Sequence, residues 1–322
     1  TLSSSSAASD VYKRQHIHHT QLVTCPDLNE ELDGMYLFKP ESLQITGSFK
    51  VRGALSAISR LSKKELKRGV IAYSSGNHAQ GVAHAAKVFN TPATVVMPKD
   101  APERKIANAQ ALGAEVIFYD RRTESREKMS VEIAKERDLV IINPYDALAT
   151  IYGQGTAAYE VINDANNPKL DNAIICAGGG GLTAGSCISI KHINPECSVF
   201  TAEPEEWNDH QLSFEKNERV AMDTNRGGLC DGLLTPMPGE IPFAINTHFG
   251  VKGLAASDQA VCKAMRFAFN RLNLKLEPSG AVALACLLEN KEKFKGTRTL
   301  VMLSGGNVDQ KTFSECLAKA NP

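Results

Sequence analysis

An α/β chain of two open, mostly parallel sheets, the smaller unit inserted into the larger, is the fold this sequence predicts. Three observations predict it. Between residues 68 and 145 short β-rich runs alternate with helical periodicity, and a second alternation of the same kind runs from 155 to 303. Such alternation builds parallel sheets covered by helices on both faces. The third observation is order. A strand at 35–38 and the helix after Lys50 precede the first alternation, so 16–67 and 147–322 are expected to form the larger unit around an insert at 68–146.

Residues 1–15, serine-rich and without apolar periodicity or a signal-peptide core, read as a disordered or foreign leader. His16, His18 and His19 have no carboxylate or cysteine nearby and read as a solvated lead-in to a strand rather than a metal tract. Strand 35–38 leads to a helix over 51–61, approached through Gly47 and Ser48. In the insert, strands 70–73, 93–97, 116–119 and 140–142 alternate with helices 81–88, 103–112 and 125–137; Pro102 opens the second helix and Gly113 closes it. Helices 155–163, 182–191, 257–271 and 280–289 and strands 174–176, 199–202 and 299–303 make up the second alternation. In open parallel sheets ligands sit beyond the carboxyl ends of the strands, so the loops there are where chemistry belongs.

Lys plus Arg and Asp plus Glu balance at 36 each, which excludes a global field for nucleic acid or anionic lipid. No run approaches the roughly 18 apolar residues of a membrane span. The eight cysteines are scattered without Cys-x-x-Cys or zinc spacing, and Cys176, Cys187, Cys262 and Cys286 fall in apolar runs, the pattern of a reducing compartment. A soluble cytosolic protein with a small-molecule partner, and neither nucleic acid nor membrane, is expected.

Lys50 opens a helix, where desolvation and the helix dipole favour a neutral, nucleophilic amine. Alone, a lysine in a helix's first turn is usually a solvated surface group; its companions decide. After strand 174–176 come Gly178, Gly179, Gly180 and Gly181, then Leu182. Such a turn bares backbone N–H groups at a helix start and suits a phosphate dianion. A dinucleotide site is the rival, since Glu203 lies about 20 residues on, but Thr183 stands where the third glycine of that fingerprint belongs. After strand 70–73, Ser74, Ser75, Asn77 and His78 open another helix whose amides can take a carboxylate while Asn77 offers its side chain to a ring oxygen. An ordinary N-cap needs one such residue, not four. Ser304, after strand 299–303, offers a hydroxyl to a ring nitrogen. An amine, a phosphate cradle, a carboxylate cradle and a neutral donor are what pyridoxal 5'-phosphate (PLP) requires.

The strings Gly47-Ser48-Phe49-Lys50, Ser74-Ser75-Gly76-Asn77-His78, Gly153-Gln154-Gly155-Thr156, Gly178 to Gly181, Glu277-Pro278-Ser279-Gly280-Ala281 and Ser304-Gly305-Gly306-Asn307 resemble the serine/threonine dehydratase and serine racemase branch of fold type II PLP enzymes, from about His19 to the end of the chain. The resemblance implies a Schiff base on Lys50, Phe49 against the ring, Gly178 to Leu182 on the phosphate, Asn77 on the ring oxygen, Ser304 on the ring nitrogen and Asp231-Gly232 along the cofactor. It puts the substrate carboxylate on the amides around Ser75, Asn77 and His78. It also implies a homodimer. Arg126 resembles the arginine that racemases of this branch swing over the substrate; an exposed helix arginine paired with a neighbouring acid is the other reading. Glu203, the carbonyl of Trp207 and Asp209 resemble the branch's Mg²⁺ or Ca²⁺ loop, against a plain solvated acidic loop. Two departures are the serine-rich start and His19-Thr20 where Thr-Pro is common. No effector domain is expected after residue 322.

The expected activity is β-elimination from L-threonine or L-serine, giving a 2-oxo acid and ammonia. Lys50 would be the general base, Ser75 would face the opposite side of Cα, and a hydroxyl on the ring nitrogen would favour elimination over transamination. The alternatives are a 3-hydroxyaspartate dehydratase or serine racemase, a PLP or amino-acid binder without turnover, and an NAD-linked oxidoreductase.

Overall fold

The computed structural model describes residues 16–74, 76–101, 103–120, 122–164, 169–223 and 227–320. The leader at 1–15, Ser75 and Pro102 lie outside the described residues. A six-stranded sheet runs in the order Val23–Thr24, Met35–Pro40, Arg298–Leu303, Asn172–Cys176, Ser198–Pro204, Lys252–Ala256. Its first pair is antiparallel and the rest are parallel. A four-stranded, wholly parallel sheet has the order Glu115–Tyr119, Ala93–Pro98, Val70–Tyr73, Val140–Ile141. The chain is therefore α/β with two mostly parallel sheets. All strands of the smaller sheet fall between Val70 and Ile141, inside one connection of the larger.

The central strands Asn172–Cys176, Ser198–Pro204 and Arg298–Leu303 are buried over nearly their whole length, as expected of a parallel sheet covered on both faces. Neighbouring strands Asn172–Cys176 and Arg298–Leu303 end side by side, delivering the glycine turn and Ser304 to one edge.

Several helices differ from the periodicity. Helix Asn77–Val88 starts at the polar motif itself, four residues before the expected start, and helix Leu148–Ile162 extends the expected 155–163 backwards by seven residues. Gly153 and Gly155 sit inside this second helix because neighbours come too close for a side chain. A Cβ at 153 would lie 2.8 Å from Gly53 Cα, and one at 155 would lie 2.9 Å from Gly185 Cα. Helices Pro26–Glu31, Lys63–Arg68, Asp209–Lys216, Glu240–His248 and Gln310–Lys319 and strand Lys252–Ala256 carried no signal that the alternation picked up.

Helix Lys50–Ile58 buries every residue after its first. Val51, Ala54, Leu55 and Ile58 share a core with the four-stranded sheet, while Phe49 belongs to the core of the larger one. Its Arg52 is wholly buried in an ionic cluster. Nε and Nη2 donate to Glu41 at 2.7 and 2.8 Å, Nη1 and Nη2 donate to Glu160 at 2.6 and 2.9 Å, and Lys39 Nζ reaches Glu160 at 2.6 Å. Two cations face two carboxylates, so the buried charge cancels. Burial works against the guanidinium, but Glu41 and then Glu160 hold it charged. All eight cysteines are buried thiols. No helix among the described residues is long and apolar enough to cross a membrane.

Candidate active site

Lys50 is the first residue of its helix. The turn before it is fastened to the turn after strand Arg298–Leu303: Phe49 N donates to Ser304 O at 3.1 Å, and Gly306 N donates to Gly47 O at 2.9 Å. Gly47 takes φ +71, a left-handed conformation that favours glycine. The Lys50 ammonium donates to Pro144 O at 3.0 Å. Burial pushes its pKa down to about 8, with the Cys176 thiol opposing and the Arg126 guanidinium adding to the fall. The lysine therefore sits at a helix start with its basicity lowered by burial.

The same cleft is lined by Gly178, Gly179, Gly180, Gly181 and Leu182. No side chain caps helix Gly181–Ile193, so its first N–H groups depend on a ligand or water. The glycines are required from behind rather than in front. A side chain at 179 would enter the Tyr145 ring, one at 180 would meet the His210 ring, and one at 181 would lie 2.7 Å from Gln154 Oε1. Gly180 also takes φ +86. Protein thus fills the Cβ side of the turn, and the uncapped start of the helix lines the cleft.

Asn77 is pinned between two residues of the larger unit. Its Nδ2 donates to Glu277 at 2.5 Å, and its Oδ1 accepts from Asn307 at 2.7 Å. One amide hydrogen remains for a ring oxygen. Ser304 lines the cleft, with its Oγ 3.4 Å from Ser279 O, while Ser279 Oγ accepts from Gly232 N at 2.9 Å. Gly232 and its neighbour Asp231 line the same cleft.

His78 lines the cleft as expected, but its buried ring sits with Nε2 2.8 Å from Ile142 O and Nδ1 without a partner. Burial, and then the Lys50 charge, push its pKa down to about 3. The ring is neutral and offers no charge to a carboxylate. Arg126 pairs with the neighbouring acid Glu127 and also lines the cleft. Nε donates to Glu127 at 2.7 Å, while the guanidinium lies 5.8 Å from the Tyr73 ring centre and lines the cleft. Pro144, Tyr145 and Leu233 to Thr235 close the remaining side. Asp146 caps helix Glu240–His248, accepting from Glu240 N and Ile241 N at 3.0 and 2.9 Å.

Two contributors carried no sequence signal as individuals. Glu277 was legible only as one letter of a motif. It is buried beside Asn77, and burial followed by Asp231 pushes its pKa up to about 7, against Lys105 and Asn77. Lys105 meets Asp231 at 2.6 Å across the mouth of the cleft, a pair separated by 126 residues. No local pattern records such a contact.

In the acidic loop Glu205 and Glu206 are exposed, whereas Glu203, Trp207 and Asp209 are buried. Glu203 accepts from His210 N and Gln211 N at 2.8 and 2.9 Å, and neither oxygen of the wholly buried Asp209 has a partner. Burial, and for Glu203 also Asp209, pushes both carboxyls up, Asp209 to about 8. Two buried acids, of which Asp209 has both oxygens unpartnered, fit a cation of oxygen-ligand preference. Among the described residues no group of three or more His, Cys, Asp or Glu forms a metal cluster, so backbone oxygens would complete such a shell. Trp207 is buried between the two acids in sequence. His16, His18 and His19 form no such cluster either.

A lysine amine tuned by burial, a glycine turn with unmet amides and a neutral hydroxyl at the end of the adjoining strand define an enzyme built around a phosphorylated aldehyde. The chain belongs to the pyridoxal-phosphate dependent enzyme family, whose profile matches residues 13–305, and it is a PLP-dependent enzyme of the fold type II kind. It is 39% identical over 305 residues, 95% of this chain and 93% of the relative, to the L-threo-3-hydroxyaspartate ammonia-lyase of Saccharomyces cerevisiae. Identity to the serine racemase of Schizosaccharomyces pombe is also 39%, over 306 residues, 95% and 94% of the two chains. The crystal structure of serine racemase from Dictyostelium discoideum aligns with a TM-score of 0.87 at 35% identity, over 96% of this chain and 99% of that one. Membership in this family sets aside the dinucleotide reading of the glycine turn and the reading as a passive binder.

Proposed function

We propose that the chain eliminates water from small L-3-hydroxy amino acids, L-serine and L-threonine among them, and releases a 2-oxo acid and ammonia. The observation that carries this is the Lys50 amine, with its pKa pushed to about 8, set in the same cleft as a hydroxyl donor rather than an acid at Ser304. When bound, PLP supplies an electron sink for the bonds at the substrate Cα. Gly178 to Leu182 would hold its phosphate, Asn77 its ring oxygen and Ser304 its ring nitrogen, with Phe49 beside the ring. Lys50 would anchor it covalently and, once displaced by the substrate amine, take the Cα proton on Nζ. The Ser304 hydroxyl, unlike an acid, would not protonate the ring nitrogen, a choice of partner that would favour β-elimination over transamination. Backbone amides at Asn77 and His78 would hold the substrate carboxylate, and Tyr145 and the Lys105–Asp231 pair would limit water.

A second reading is L-threo-3-hydroxyaspartate. Arg126 supports it, because Nε alone is committed to Glu127 and the terminal guanidinium nitrogens stand in the cleft beside Tyr73, where a second carboxylate would find a bidentate partner. Racemisation needs a proton donor on the other face of Cα, the role expected of Ser75. We also assign a Mg²⁺ or Ca²⁺ to Glu203, Asp209 and the Trp207 carbonyl, on the strength of Asp209's two unpartnered buried oxygens.

The test is a panel of L-serine, L-threonine, L-threo-3-hydroxyaspartate and their D forms, scored for keto acid and for inversion in wild type and Arg126→Ala. Keto acid from at least one L-3-hydroxy substrate is expected, with Arg126→Ala lowering the preference for the dicarboxylic one about tenfold or more. No keto acid from any member would overturn the proposal.

A further inference from the structure

The acidic loop and the glycine turn are two separate sites on this chain, yet one residue touches both, His210, through its backbone N–H on one side and its ring on the other. Strand Ser198–Pro204 runs parallel to Asn172–Cys176 with Ala202 opposite Cys176, and Ala177 N donates to Ala202 O at 3.0 Å. The sheet therefore sets Glu203 beside the first residues of the glycine turn. Glu203 in turn accepts the backbone N–H of His210 at 2.8 Å, fixing where that residue's ring goes. The ring is wholly buried, and Nε2 lies 2.8 Å from Gly178 O. A side-chain carbon at 180 would come within 2.9 Å of the same Nε2. The ring is thus the floor on which Gly178 to Gly180 rest. Its residue is the immediate neighbour of Asp209, whose two carboxylate oxygens have no partner.

We propose that His210 is a positioning residue that couples cation occupancy at Glu203 and Asp209 to the shape of the phosphate cradle, so that the cation and PLP raise each other's affinity. This inference rests on the cofactor and cation assignments made above. The physical argument is short. A cation drawing Glu203 and Asp209 together restrains the residue between Asp209 and Gln211, and that residue's ring decides where the Gly178 carbonyl and the Gly180 turn lie. An unrestrained cradle must be ordered when phosphate binds, and ordering it beforehand removes that cost from PLP binding. Linkage makes the effect reciprocal: whatever factor the cation contributes to PLP affinity, PLP contributes to cation affinity.

The test uses the full-length holoenzyme and no turnover. The dissociation constant of PLP is measured by equilibrium dialysis with and without saturating MgCl₂. Cation binding is followed by Tb³⁺ luminescence excited through Trp207, the chain's single tryptophan. In wild type, MgCl₂ is expected to tighten PLP about fivefold or more, within the usual range of coupling between two sites. In His210→Ala the ratio falls to about one while Tb³⁺ still binds. His210→Gln, which keeps a donor for Gly178 O, restores part of the ratio. Asp209→Asn, with His210 intact, fixes PLP affinity at the cation-free wild-type value whatever the MgCl₂, and it serves as the deciding variant where His210→Ala does not fold. A ratio of one in wild type with Tb³⁺ bound, an undiminished ratio in His210→Ala, or an Asp209→Asn protein that still responds to MgCl₂ would each overturn the proposal. Failure of Tb³⁺ to bind overturns it together with the cation assignment. The cofactor assignment has its own readout in borohydride labelling of Lys50.

Discussion

Replacing Glu160 by Gln probes the anchor beneath the Lys50 helix. Glu160 accepts three charge-assisted hydrogen bonds, from Arg52 Nη1 and Nη2 and from Lys39, at 2.6, 2.9 and 2.6 Å. The variant keeps shape and volume, but leaves two buried cations facing Glu41 alone, a net buried charge of one. Burial would raise the Glu160 carboxyl, yet Arg52 and then Lys39 hold it below the usual carboxylate range, so the charge removed is present at neutral pH. Breaking one partner of a buried pair costs about 3–5 kcal/mol because the remaining charge is left uncompensated. Urea unfolding followed by far-UV circular dichroism, with the cofactor's visible absorbance as a second probe, should register a loss of that size. Arg52 lies two residues beyond Lys50, so the cofactor signal should disappear no later than the helical signal. A loss below about 1 kcal/mol would refute the reasoning, since it would mean that the cluster is hydrated or rearranges freely.

Three further outcomes follow from the site. Lys50→Ala should abolish keto-acid release and borohydride labelling, and the wild-type rate should rise with pH to a limb near 8, because the base works deprotonated and its pKa lies at about 8; a flat profile between pH 6 and 9, measured by coupled assay, would contradict this. His78 has a folded pKa of about 3, against about 6.5 unfolded, so the unfolded chain takes the proton first. Stability should therefore fall as pH drops below about 6.5, by about 2 kcal/mol at pH 5, as the difference between wild type and His78→Gln in urea titrations at both pH values. Gly179→Ala drives a methyl into the Tyr145 ring and should cost about 1–3 kcal/mol together with PLP affinity, and a Gly179→Ala/Tyr145→Ala double variant should regain that affinity by dialysis.

What the sequence revealed and what it hid have physical causes. Strands 70–73, 93–97 and 299–303 were legible because a parallel strand buried on both faces writes itself as a short apolar run between turn residues. The glycine turn and Lys50 were legible because their chemistry is local. The front half of helix Leu148–Ile162 was not, because glycine inside a helix weakens the helical signal, and only the close approach of Gly53 and Gly185 explains Gly153 and Gly155 there. Asn77 with Glu277, and Lys105 with Asp231, were out of reach because 200 and 126 residues separate the partners. His78 reads as a polar cleft residue in sequence, and only burial reveals that it is neutral.

The complete burial of the sulfhydryls turns the chain into its own unfolding clock. An alkylating reagent added to the native enzyme has nothing on the surface to attack, so its uptake counts openings of the core. A lone cysteine engineered at an exposed position, by the same token, would take a dye or spin label without first stripping the others from the molecule.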